Sequence, residues 1–227
     1  MCVSIIFHNY FKDTPLIIAN NRDEQVTRNF SPPLVLNHSP YIIGGKDLEK
    51  GGTWLGINEN RIFVNILNKF VNKETFLGSN NYRSRGMLIL DLLKMNSINK
   101  ILDSLTTLNI NDYLPFYLVV SDIKSVFFAK YDRGLNITDI SDKLSIVGNL
   151  DPFSEWDKYN YAYERLNNIK EKQSLFNTLK EVLKAQQGSK SIPSTDFSVN
   201  LGNFQTTSST IVEFSSNDIG YFFANGS

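Results

Sequence analysis

The chain has 227 residues, 41% hydrophobic and 20% charged, the composition of an ordinary globular protein long enough to bury a sizeable core. Lysine plus arginine and aspartate plus glutamate both number 23, so no overall field favours nucleic acid or an acidic membrane surface. The single cysteine excludes an internal disulfide and a cysteine-built zinc site, and it fits a reducing compartment.

At the N-terminus "VSIIF" is short, has no basic region ahead of it and runs into His8 and Asn9, so no signal peptide is expected. No run approaches the roughly 20 apolar residues of a membrane helix. The expected address is the cytoplasm, with no nucleic-acid partner and no integral membrane segment. Sequons at Asn37 and Asn136 read as chance in an Asn-rich chain.

Residues 1–70 read as β. "CVSIIF" and "PLIIAN" form an antiparallel pair around the turn-like "NYFKDT". "PPLVL", "YIIGG" and "TWLGI" follow, and "RIFVNILN" returns after the turn "NEN". A period of two places Ile62, Val64, Ile66 and Asn68 on one face. The amide of Asn68 thus ends an apolar face, where it needs a partner.

From Ser84 the period changes. Met87, Leu88, Leu90, Leu92, Leu93, Ile101, Leu102 and Leu105 suit one helix, or two separated near "NSIN". "FYLVV" and "SVFFAKY" predict a hairpin across "SDIK", and "LSIVGN" a short strand. Residues 154–187 read as two helices, the second with a stripe of Leu175, Leu179, Val182 and Leu183 and with Gly188 as its C-cap. The polar stretch 188–207 carries no clear element, and "STIVEF" with "IGYFFA" closes the chain as a hairpin. This order predicts one α+β domain over residues 1–227, two sheets covered by helices.

Cys2 is the first candidate for chemistry. Removal of Met1 would leave it a free α-amine, whose reference pKa of about 7.7–8.0 lets it act as a base toward its own thiol. The plainer reading is a small buried residue that opens a strand. The polar cluster Asn20, Asn21, Arg22, Asp23, Glu24 ends the second strand, and a hairpin returns it to the level of Cys2. A guanidinium there can hold a carboxylate or carbonyl, or lower a thiol pKa; a solvated turn is the other reading. In "GGKDLEKGGTWLG" the glycines permit close backbone approach, either to a ligand or in a tight hairpin closed by Trp54. No Lys-Ser or Lys-Thr follows them, so the loop is not a phosphate loop. Asn68 and Asn149 each follow an apolar run and can serve as oxyanion donors or as structural amides. His8 and His38 lie in no dyad or metal spacing, although His8 is a candidate axial ligand for haem.

An N-terminal "MC", then "NRDE", "GGKDLEKGGTWLGI" and "FVNILN" in this order resemble the NRDE family, also called the transport and Golgi organisation family. "SRG" (Ser84 to Gly86), "GNLD" and "SSTIVEF" match its later landmarks, so the likeness covers nearly the whole chain. The family is in turn distantly similar to cysteine-type N-terminal nucleophile hydrolases, which cleave linear amides. That resemblance implies a four-layer αββα sandwich of two mainly antiparallel sheets. It puts Cys2 at the nucleophile, Arg22 and Asp23 at the arginine and aspartate after the second strand, and Asn68 and Asn149 at two active-site asparagines. Asn21, Glu24, Trp54 and His8 are then candidate ligand-binding residues. Two departures stand out: Thr207 occupies the place of a family arginine, and "VGN" precedes residue 150 where a small polar residue beside the asparagine is expected.

The family has been linked to secretory organisation, acyl-CoA or lipid metabolism and haem trafficking. Two readings follow. One is an enzyme that hydrolyses an amide or acyl bond through Cys2 and requires no cofactor. The other is a binding or trafficking protein whose pocket carries haem or an acyl compound.

Overall fold

The computed structural model describes residues 2–69, 82–132, 134–149, 156–186 and 196–226. In chain order the elements are β1 (Val3–Phe11), β2 (Thr14–Gln25), β3 (Phe30–His38), β4 (Tyr41–Asp47), β5 (Leu55–Asn58) and β6 (Phe63–Asn68). Then come α1 (Arg85–Leu93), α2 (Ile98–Thr106), β7 (Phe116–Ser121), β8 (Val126–Tyr131), β9 (Leu135–Asp139) and β10 (Leu144–Gly148). The chain continues through α3 (Trp156–Leu166), α4 (Lys172–Lys184), β11 (Asn200–Leu201), β12 (Phe204–Phe214) and β13 (Ile219–Asn225). Among the described residues no helix is long and apolar enough to cross a membrane. The chain divides into two compact units, Met1–Thr27 with Asp142–Ser227, and Arg28–Ser141.

The first unit is an antiparallel sheet in the order β10-β1-β2-β12-β11, with β13 also paired to β12. Val3, Ile5 and Phe7 of β1 and Ile17 and Ala19 of β2 alternate onto one face. There they meet Ala162 and Leu166 of α3 and the stripe Leu175, Leu179, Val182, Leu183 of α4. Those four α4 side chains are all buried, each contributing about 1.5–3 kcal/mol of transfer free energy. The predicted stripe is therefore the helix's packing face. The predicted cap is not where the helix stops: α4 ends at Lys184 with Ala185 as C-cap, and Gly188 lies outside the described residues. Ala185 leaves helical backbone at ψ 129°, and its carbonyl then accepts from the Ser198 amide.

The predicted β1–β2 pair is present, but its turn is tighter than "NYFKDT" suggested. Both strands extend to Phe11 and Thr14, and the register slips between His8 and Phe11. Asn9 takes φ 51° at that slip, a left-handed conformation that asparagine tolerates. At its other end β2 does not break at the polar cluster. It runs on to Gln25 because β12 supplies a hydrogen-bonding partner along the whole of "NNRDEQ".

The second unit is an antiparallel meander in the order β3-β4-β5-β6-β7-β8-β9, with α1 packed on β5 and β6. The apolar set from Met87 to Leu105 forms two helices, each opened by a serine whose hydroxyl accepts an N–H three residues on: Ser84 for α1 and Ser97 for α2. β9, "LNITD", is a strand with no expectation behind it, because only Leu135 and Ile137 stand against three polar residues. Asn58 ties the "NEN" turn to the helices. Its Nδ2 donates to the carbonyls of Leu93 and Met95, and its Oδ1 accepts from Asn60 and Ile62.

The double-glycine loop is explained by packing. A Cβ on Gly45 would lie 2.2 Å from the Trp54 ring, and one on Gly52 would lie 2.3 Å from the Gly86 carbonyl carbon. Asp47 organises the turn between these glycines. Its Oδ1 accepts from the amides of Glu49 and Lys50, and its Oδ2 from Nε and Nη2 of Arg28 at 2.9 and 2.6 Å. Burial works to raise the Asp47 pKa, but the hydrogen bonds from Lys50, Arg28 and Glu49 outweigh it and hold the carboxyl below its ordinary value. A carboxylate with a depressed folded-state pKa contributes stability above its unfolded pKa and loses it as pH falls through the folded one. Asp47→Ala is therefore expected to destabilise by about 2 kcal/mol near neutral pH. In urea melts the deficit should shrink on acidification below the carboxylate range. A pH-independent deficit would mean that lost packing, not the charge, sets the cost.

Candidate active site

The strand registers assemble one row of side chains. Val3 pairs with Asn21 on one side and Gly148 on the other, so one step further Cys2 stands across from Arg22 and Asn149. Arg22 is paired in turn with Ser208 of β12. Asn149, Cys2, Arg22 and Ser208 thus share one level of four neighbouring strands, and all four are buried. The preceding level, Val3, Asn21 and Ser209, points to the helices. Asn21 Nδ2 donates to the carbonyls of Leu183 and Phe197 at 2.8 Å each, and its Oδ1 accepts from Ser209 at 2.7 Å. By alternation the Cys2 level faces away from the helices.

Cys2 is 8% exposed, and its Sγ donates weakly to the main-chain oxygen of Asp23 at 3.9 Å. Burial and the Asp23 carboxylate push the thiol pKa up, against the opposing pull of the chain-terminal ammonium one residue ahead, the Asp23 hydrogen bond and Arg22. The folded chain holds this proton more tightly than the unfolded chain. The site's contribution to stability is thus complete below the ordinary thiol pKa and lost as pH rises through the folded value. Removing the anion should ease ionisation. Asp23→Asn is expected to shift the rate of Cys2 alkylation by iodoacetamide to lower pH, and Arg22→Leu to higher pH. Superimposable pH profiles for the three proteins would show that neither charge governs the thiol.

Arg22 is 4% exposed, and Nη1 donates to Thr207 Oγ1 at 2.8 Å. That hydroxyl donates onward to the Arg22 carbonyl at 3.2 Å, and Glu24 lies 3.8 Å from Nη2. Thr207 sits at the register shift between Thr206 and Ser208, where an extra residue bends the strand and re-aims a side chain. An arginine at 207 has no acceptor to offer a second guanidinium. Thr207 instead anchors Arg22, accepting from its guanidinium and donating to its carbonyl.

Asp23 is held on its other side. Thr206 Oγ1 donates to Asp23 Oδ1 at 2.6 Å and accepts from the Val199 amide at 2.8 Å. Sequence reasoning did not single out Thr206 or Ser208. Both lie in a run of hydroxyl residues, "TTSST", whose members look alike until a register assigns each a partner. Ser208 is distinctive: its Oγ is buried and has no hydrogen-bond partner among the described residues.

The other expected residues are placed as follows. His8 is 3% exposed on β1, with Nε2 3.2 Å from Asn9 Nδ2. Glu24 is half-buried, and its Oε1 accepts from the Gln25 amide. Trp54 and Asn68 belong to the second unit. Trp54 packs on Gly45 and edge-on to Phe30 at 5.5 Å. Asn68 closes β6 opposite Phe116 and is half-buried. Among the described residues no group of three or more His, Cys, Asp or Glu is placed to hold a metal ion.

Sheets and helices in this arrangement are similar to solved N-terminal nucleophile hydrolases. An N-acylethanolamine-hydrolyzing acid amidase ortholog from Caenorhabditis elegans superposes with a TM-score of 0.64 at 15% identity, over 92% of each chain. A mutant conjugated bile acid hydrolase from Clostridium perfringens gives 0.59 at 11% identity, over 98% of this chain and 92% of that one. Penicillin V acylase from Agrobacterium tumefaciens gives 0.51 at 12%, over 99% and 86%. Identities this low establish the fold alone, an α+β fold of the N-terminal nucleophile hydrolase kind. The chain belongs to the Transport and Golgi organisation 2 family, whose pattern spans residues 1–222. No curated protein matches it by sequence.

Proposed function

We propose that this protein hydrolyses a linear amide or related acyl bond through Cys2, once Met1 has been removed. The observation that carries the reading is the row Asn149, Cys2, Arg22, Ser208: continued one residue past the last paired positions, the registers bring Cys2 level with Asn149 and Arg22 in one sheet. The resemblance in fold to an N-acylethanolamine-hydrolyzing acid amidase, a conjugated bile acid hydrolase and a penicillin V acylase supports it.

The chemistry runs in two stages. The α-amine of Cys2, neutral in part near pH 8, takes the thiol proton as sulfur attacks the carbonyl carbon. Arg22 favours the thiolate, and Asn149 donates to the oxygen as it gains charge. The amine then gives its proton to the leaving nitrogen as the C–N bond breaks, which leaves a thioester. Water adds to that thioester, the C–S bond breaks, and a carboxylic acid and the free thiol are restored.

The test joins mass spectrometry to acylation. Intact mass should show loss of Met1, and an activated ester such as p-nitrophenyl butyrate should release a burst equal to the protein present. Retained Met1, or a burst unchanged in Cys2→Ala, would sink the reading.

One observation favours a second reading. Burial and Asp23 raise the pKa of the thiol, which works against the thiolate a nucleophile needs and so favours a carrier of an acyl compound or haem. A saturable Soret shift on haemin titration, altered in Cys2→Ala or His8→Ala, is the result that reading requires. A weak, nonsaturating response argues against it.

A further inference from the structure

The helix face of the first unit carries an open groove of about 610 Å³ where α4 runs beside β12 and β13. Its volume falls in the range of small-molecule sites. Phe176, Leu183, Ile211 and Phe222 make its apolar floor, and the rings of Phe176 and Phe222 meet edge to face at 4.7 Å. Phe222 is 44% exposed, an unusual setting for a large aromatic.

Two lysines edge this groove. Lys180 and Lys184 lie one helical turn apart on α4, both exposed, and Lys180 Nζ sits 4.6 Å above the Phe176 ring. Among the described residues neither ammonium has a carboxylate partner. Like charges four residues apart on a helix repel, so an anion placed between them relieves that repulsion and gains two charge-assisted contacts. Ser209 and Asn225 add polar atoms on the strand side.

We infer that this groove binds a small amphiphilic anion, its apolar body on Phe176, Phe222, Leu183 and Ile211 and its acidic head between Lys180 and Lys184. The site is distinct from the Cys2 row. Ser209 and Ile211 point to the helices, whereas the level holding Cys2, Arg22 and Ser208 points the other way. It therefore does not depend on the proposed hydrolysis.

The test uses the whole chain and three probes below their micellar concentrations: dodecanoate, dodecyl phosphate and dodecanol. Calorimetric titration is expected to give saturable 1:1 binding of at least one anion, about tenfold or more tighter than dodecanol. The preferred anion identifies the head group as a carboxylate or a phosphate. The double variant Lys180→Glu/Lys184→Glu should lose that advantage while keeping the weak binding of dodecanol. Ala224→Trp, an exposed position on the groove wall, should block all three probes. Cys2→Ala should leave the titrations unchanged. Nonsaturating uptake, equal affinity for dodecanol, or an anion preference that survives the double lysine variant would overturn the inference. So would concentration-dependent self-association abolished by Phe222→Glu, which would make the groove a contact between copies of the chain.

Discussion

Cys2→Ala is expected to lower acyl-bond cleavage by roughly 10⁴-fold or more while leaving the fold intact, because in the proposed reaction the thiol alone forms the covalent intermediate. Cys2 lies at the head of β1, and Ala fills most of its volume, so thermal melts of the two proteins should agree closely. The stronger control leaves the thiol in place. An uncleaved extension ahead of Met1 converts the α-amine into an amide, removes the only base the mechanism has, and should silence turnover as completely as alanine does. A carrier makes no such demand on the amine. Ligand binding that persists in the extended protein, together with no turnover in either form, would replace the enzyme reading with the carrier one. Turnover that survives the extension would refute the amine as base even if Cys2 proved essential.

The largest structural effect is expected at Gly52. An added Cβ meets the Gly86 carbonyl carbon at 2.3 Å and the Met87 amide nitrogen at 2.6 Å, and both are backbone atoms at the start of α1. Neither can rotate away, so the helix must shift and the hydrogen bond from the Thr53 amide to the Gly86 carbonyl must stretch. Overpacking and the weakened bond together cost about 2–4 kcal/mol, or about 5–10 °C in the melting temperature. Gly51 supplies the comparison. Its φ of 74° strains any side chain, but no atom lies within 4 Å of its Cβ position, so Gly51→Ala should cost only about 1 kcal/mol. A larger loss at Gly51 than at Gly52 would show that backbone conformation, not the glycine–glycine contact with α1, makes the loop need glycine.

Several features were legible from residues alone. The α4 stripe Leu175, Leu179, Val182, Leu183 follows helical spacing and packs as read. The hairpins across "SDIK" and "SSND" join runs of β-forming residues through polar turns, and both are present. The split between α1 and α2 near "NSIN" was visible as one of two alternatives, and the serine cap at Ser97 decided it. β9 and the continuation of β2 through "NRDEQ" were not legible, because polar residues enter a strand when a neighbour offers a ladder, and the neighbour of β2 here is almost two hundred residues away in the chain.

By itself, the sequence determined the period of each apolar face, the position of the lone thiol beside Met1, and the motif order that marks the family. Those are local or linear properties, carried by side-chain volume and spacing. Only the tertiary structure decided what the hydroxyl run "TTSST" does. A register between β2 and β12 gives Thr206 to Asp23, Thr207 to Arg22 and Ser209 to Asn21, and leaves Ser208 buried beside them. Four hydroxyls of nearly equal chemistry acquire different roles because a strand alternates faces and a single bulge shifts the count by one.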